Sequence, residues 1–144
     1  MINKIRKYKI DIGLLWLRVL GGLGIMTHGY SKVFGGNMDG FITGVHNLGF
    51  PFPGFFGWLS ALTEFIGGWL LVFGLGTRIA ALFLLGNMCV AAFLQHANAS
   101  FSVKEKALLY LTLAGTIEIL GGGRFSLDQL IMRRRKSSQE TSLD

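Results

Sequence analysis

The chain is predicted to be all-α: an integral membrane protein built as an up-down, antiparallel bundle of four transmembrane helices, with both termini cytoplasmic. Three observations carry this reading. Apolar residues make up 51% of the 144 positions and charged residues only 15%, against roughly 25% charged in soluble domains; mean hydropathy is +0.49. The apolar residues gather into stretches at 14–34, 55–74, 78–96 and 104–121, each near the ~20 residues that cross a bilayer as a helix. Lysine and arginine are also lopsided. Lys4, Arg6, Lys7, Lys9, Arg78, Arg124, Arg133, Arg134, Arg135 and Lys136 flank one side, while Lys32, Lys104 and Lys106 flank the other. The richer side is expected in the cytoplasm.

This length suits a single domain, with a membrane unit over 1–132 and a basic, then polar, cytoplasmic tail over 133–144. The net charge of +6 sits at the chain ends without interleaved aromatic residues, so it reads as topology signal and not as a nucleic-acid surface. Cys89 is the lone cysteine, which excludes an internal disulfide, a CxxC redox pair and a thiolate cluster within one chain. The basic start imitates a signal peptide, yet Arg18 interrupts the apolar stretch and no clean cleavage site follows.

Taken in order, residues 1–11 form a short cationic piece expected at headgroup level. The first span, LLWLRVLGGLGIMTHGYSKVF, places Arg18, Gly21, Gly22, Ile25, His28, Gly29 and Lys32 on one helical side. Charge facing hydrocarbon costs several kcal/mol, so this side is expected to turn inward. Residues 35–54 make the longest connection, with a short interfacial helix over 38–48 that Pro51 and Pro53 exclude from continuing. The second span has Glu64 at its centre, GLGT at 74–77 is a tight turn, and residues 97–100 loop over to the fourth span. Glu118 lies near the end of that span, and GGG at 121–123 stops it. A final interfacial turn follows before RRRK at 133–136, and the polar tail is expected to be disordered.

The chemistry-bearing residues are therefore Arg18, Glu64 and Glu118 inside the bundle, with His28, Lys32 and Asn87 nearer the outer end. Arg18 can reach either glutamate. Such a pair either fixes helix register or belongs to a proton-handling or anion-binding site in which one carboxylate stays protonated. Asn87 and His96 lie about 180° apart on an ideal helix, so one faces inward and the other packs at the interface; Asn87 is taken as the inward one. No metal set is expected. Histidines and tryptophans near the span ends are expected to mark the interfaces.

The segments LRVLGGLGIMTHGYSKVFGG, LSALTEFIGGWLLVFGLGTRIAALFLLGNM and KEKALLYLTLAGTIEILGGGRFSLDQLI together resemble the DoxX family of small bacterial four-span membrane proteins, over about residues 12–131. The resemblance rests on Arg18, His28-Gly29, Lys32, Glu64 with Gly67-Gly68, the Gly74–Arg78 turn, Glu105 and the run from Gly123 to Asp128. A proline usual in the family before SLD is absent, and GGGR stands there. The resemblance implies a multi-pass protein of the bacterial plasma (inner) membrane, regarded broadly as an oxidoreductase and linked to quinone and to thiol-oxidant defence. With no nucleotide or flavin motif, a lipid-borne quinone or a redox partner protein would complete the chemistry. In that reading Arg18, Glu64 and Glu118 are the catalytic candidates, and His28, Lys32 and Asn87 bind quinone or its donor. The alternative is a non-enzymatic scaffold or stress-related subunit whose buried charges set packing. A small transporter would need a homo-oligomer to enclose a path.

Overall fold

The computed structural model describes residues 2–141, and among them there are helices and no strands. The helices are α1 (Ile2–Phe34), α2 (Met38–Asn47), α3 (Pro53–Phe73), α4 (Thr77–Val90), α5 (Phe101–Leu120) and α6 (Leu127–Thr141), with a π-helical turn at Ala91–Gln95 prolonging α4. Three helices have the length and composition to cross a membrane: α1 from Ile5, α3, and α4 with its π turn. Trp16, Leu20, Ile79, Leu82 and Phe83 are exposed on their outer faces, as helices packed in lipid require.

Each boundary has a local cause. Pro53 opens α3, where its missing N–H is not needed. At the other end Gly74 adopts φ +69°, and the N–H groups of Gly74 and Leu75 return to the carbonyls of Leu71 and Leu70 at 3.1 and 3.0 Å. That doubly closed helix end needs a left-handed residue, which glycine supplies without strain. The π turn contains the His96 N–H to Ala91 carbonyl bond at 3.0 Å, one residue longer than an α-helical step.

Two parts of the expectation differ from what is found. Residues 2–11 are not a separate surface piece but the first turns of α1, because neither glycine nor proline interrupts the ladder before Gly13. At 33 residues α1 is about 50 Å long, so its cationic start extends beyond a ~30 Å hydrocarbon layer. The tail expected to be disordered is instead helical as far as Thr141. Its helix is started by the Ser126 hydroxyl, which accepts the Gln129 N–H at 3.3 Å, and continues through good helix formers. Residues 142–144 lie outside the described residues. The short helix expected over 38–48 is found as α2.

The helices pack as two close pairs, α1 on α3 and α4 on α5, joined by contact of α3 with α4. Ile25, Leu71, Ala80, Ala81, Leu84, Met88, Ala114 and Ile117 form the buried centre. Between α1 and α3 the backbones nearly touch. A side chain on Gly22 would meet the Gly68 carbonyl at 2.7 Å, and one on Gly68 would meet the Gly22 carbonyl at 2.8 Å. This is small-residue packing of membrane helices. Gly68→Val is therefore expected to destabilise by about 1–3 kcal/mol through overpacking, read as a lower unfolding temperature in mild detergent; an unchanged midpoint would contradict the packing.

Candidate functional site

Two charged assemblies lie inside the bundle, about 21 Å apart along α1 at 1.5 Å per residue. The first surrounds Arg18, which is 0% exposed. Its Nη1 donates to the carbonyls of Leu71 at 3.0 Å and Val72 at 3.4 Å, and its Nη2 to that of Phe125 at 3.1 Å. Leu71 and Val72 are in the last turn of α3, whose carbonyls have no partner within the helix. The guanidinium thus caps the negative end of that helix dipole. Gly74 leaves the room, since a side chain there would run into Arg18 Nη1 and Ser126.

Asp128 does the converse for α4. Its Oδ1 accepts the Gly76 N–H at 2.8 Å, and its Oδ2 accepts the Thr77 N–H at 2.9 Å and the Thr77 hydroxyl at 2.7 Å. The Asp128 N–H in turn donates to the Gly74 carbonyl at 2.9 Å. Nearby, Arg78 donates to the Ile119 carbonyl at the end of α5, and Asp11 of α1 accepts the Arg124 N–H at 2.9 Å. The GLGT turn and the GRFSLD run are therefore two halves of one clasp.

The sequence reading pairs Arg18 with Glu64 or Glu118; in the structure it pairs with neither. The carbonyls at the α3 terminus are nearer, and Asp128 supplies the neighbouring negative charge. Glu118 is half-buried near the end of α5, and its carboxylate forms no hydrogen bond or ion pair among the described residues. It does not join Glu64.

The second assembly is centred on Glu64, 4% exposed at the middle of α3. Its Oε1 accepts from Lys32 Nζ of α1 at 2.7 Å and from Asn87 Nδ2 of α4 at 3.1 Å. Its Oε2 is buried with no hydrogen-bond partner. Lys32 is also held over the Phe41 ring of α2, 4.5 Å from its centroid, a cation–π contact. Three residues named from the sequence (Lys32, Glu64 and Asn87) thus come together.

Two cavities meet at this pair. One, about 330 Å³, is mainly apolar and bounded by Phe41, Phe50, Phe56, Leu59, Leu82 and Phe83, with Lys32, Glu64 and Asn87 in its wall. The other, about 430 Å³, is more polar and bounded by His28, Gln95, His96, Lys106 and Tyr110. Lys32, Glu64, Ala91 and Gln95 belong to both walls. His28 is thus placed on the second cavity, where its ring meets Tyr110 edge-on. The question of whether Asn87 or His96 faces inward has a physical answer: the π turn between them inserts one residue and changes the angle, so each borders a cavity. Among the described residues no group of three or more metal-type side chains is present.

Sequence reasoning did not find Phe41, Gln95, Tyr110 or Asp128 as site or clasp residues. The α2 pattern of Phe41, Val45 and Leu48 was the available signal for the first. The spacing of 51 residues between Thr77 and Asp128 leaves no local pattern to read.

Residues 13–97 match the DoxX family. The chain is 34% identical to the inner membrane protein YqjF of Escherichia coli strain K12, over 86% of this chain and 95% of that protein. It is 36% identical to a Bacillus subtilis strain 168 protein named putative oxidoreductase CatD, over 88% of this chain and 92% of that one. No solved structure matches.

Burial alone would push the Asp128 pKa up, but the Thr77 N–H, the Thr77 hydroxyl, the Gly76 N–H and the Arg18 charge together hold it below the ordinary carboxylate value. The clasp thus contributes stability above pH ~4, near the unfolded carboxylate pKa, and that contribution fades as pH falls through the lower folded value. Asp128→Asn is expected to cost about 0.5–2 kcal/mol at neutral pH, as for a lost helix cap, and to lessen the loss of stability on acidification. Melts of both forms between pH 3 and 7 check this; parallel curves would contradict it. With its match over most of the membrane helices and relatives covering nearly its whole length, the chain belongs to the DoxX family.

Proposed function

We propose that the protein is a quinone-linked redox subunit of the bacterial plasma (inner) membrane, with Glu64, Lys32 and Asn87 as its reacting site. One relative is named an inner membrane protein and the other a putative oxidoreductase, which supports the membrane and redox parts of this reading. Helix α5, 20 residues long and so about 30 Å, serves as a fourth span. The ends of the chain are then cytoplasmic by their excess of lysine and arginine. The cavity pair lies toward the opposite, outer face.

The observation that carries the reading is the unpartnered Glu64 Oε2 beside an apolar, aromatic-walled cavity. A buried carboxylate oxygen without a partner costs at least about 1–3 kcal/mol, and a ligand can relieve it. A quinone head group suits that wall: its carbonyl oxygens accept hydrogen bonds, its ring packs on aromatic side chains, and its tail belongs in lipid. Lys32 and Asn87, which now donate to Glu64 Oε1, would hold its carbonyl oxygen. Glu64, when protonated, offers it a proton at Oε2. A quinone held there would accept two electrons and two protons, which a thiol donor would supply as 2 RSH + Q → RSSR + QH2, with no net proton change.

Arg18, by contrast, holds the clasp and acts on the fold, and Glu118 takes no part in the site. The scaffold reading draws on this same clasp, since a buried cation there sets helix packing without chemistry. The two are separated by activity. Glu64→Gln, folded to the same unfolding temperature, is expected to lose quinone reduction by about 10²–10⁴-fold, the usual contribution of a positioned acid–base group. Lys32→Met is expected to raise the quinone KM. Unchanged turnover in Glu64→Gln would overturn the assignment.

A further inference from the structure

The apolar cavity explains how a lipid-borne group reaches Glu64, but not how the carboxylate recovers a proton. The second cavity does. It too borders Glu64 and is lined by polar groups able to bond water: His28 from α1, Gln95 from the π turn, His96 just after it, and Ser102, Lys106 and Tyr110 from α5. Lys32 stands in the partition. Among the ionisable groups lining this cavity, Glu64 is the lone acid and Lys32 and Lys106 are cations. At about 430 Å³ the space holds several waters, each taking ~30 Å³ of liquid volume. The π turn shapes the partition: Ala91 and Gln95, its first and last residues, belong to both walls. A π turn beside a functional site is a recurrent arrangement.

We propose that this second cavity is a proton port: water in it connects the Glu64 carboxyl group to the outer aqueous phase, and Glu64 exchanges its proton there and not with the cytoplasm. This rests on Glu64 as the acid of the site, but not on the identity of the group in the apolar cavity. One exchange breaks and forms O–H bonds alone: Glu64 gives its proton to the apolar cavity, and the carboxylate takes another from water on the port side. No electron moves in that step. His28 and His96 flank the water and position it. The cytoplasmic direction is closed by Ile25, Leu71 and Leu84, all nearly fully buried.

The test uses the full chain in membranes with Cys89 replaced by Ala, so that no native thiol reacts. Ala91→Cys and Glu64→Cys are each exposed to a membrane-impermeant cationic methanethiosulfonate, in right-side-out vesicles and in inverted ones. Labelling from the outer face, slowed at least tenfold by His96→Trp, is expected for both. Ala91→Cys keeps the test decisive if Glu64→Cys fails to accumulate. The proton itself is read by infrared spectroscopy: a carboxylic acid band absent from Glu64→Gln should follow outer pH. Labelling only from the cytoplasmic face, or none in native membranes with full labelling after denaturation, would overturn the port. So would a Glu64 band that follows inner pH. Because neither readout uses turnover, a protein that labels from outside but reduces no quinone leaves the port standing and removes the redox reading.

Discussion

Inside a membrane no water is at hand to solvate a charge, so every buried ionic group must find partners within the protein. The bundle meets this demand in two different ways. Arg18 is surrounded by carbonyls at the end of α3 and by the field of Asp128. Glu64 has one oxygen well paired and the other without a partner. Arg18 keeps only its Nε without a partner and lines neither cavity, so it serves architecture. An incompletely satisfied charge beside a cavity is where a ligand gains most by binding, because it removes an existing cost.

The clasp also explains why the distant ends of the chain are ordered together. Arg18 and Asp128 attach to opposite poles of helix dipoles, the cation at the carbonyl end of α3 and the anion at the N–H end of α4. The close glycine contact of Gly22 with Gly68 sets α1 firmly on α3, so Lys32 reaches Glu64 further along the same pair. One packing decision thus serves both charged assemblies. The π turn then adjusts the last part of α4 so that Asn87 and His96 both border open space.

Much of this was legible in the residues. Hydropathy marked the helices, and the glycines on the polar face of the first span marked its close neighbour. Glu64, Lys32 and Asn87 stand out because each is polar in an apolar stretch, and they meet. The partner of Arg18 was not legible. Backbone carbonyls carry no sequence signal, whereas a carboxylate is the side-chain match for a buried guanidinium. Asp128 belongs to the run that carries the resemblance, yet nothing in that run says it meets Thr77. The helical continuation through RRRK was hidden because composition there speaks of solvation, while the Ser126 cap acts through geometry. Nor can an ideal 100° step foresee the π turn, which moved His96 into place.

Occupancy of the apolar cavity beside Glu64 by a quinone separates a redox subunit from a scaffold. The most direct measurement is solvent extraction of quinone from the protein purified in mild detergent, compared with Gly86→Leu. Gly86 lines that cavity and has open space where a side chain would grow, so the substitution fills the cavity without disturbing the helices. Stoichiometric quinone in the native protein, lost in the folded Gly86→Leu form, is the predicted result. A quinone-free native preparation, or equal quinone in both, would contradict it.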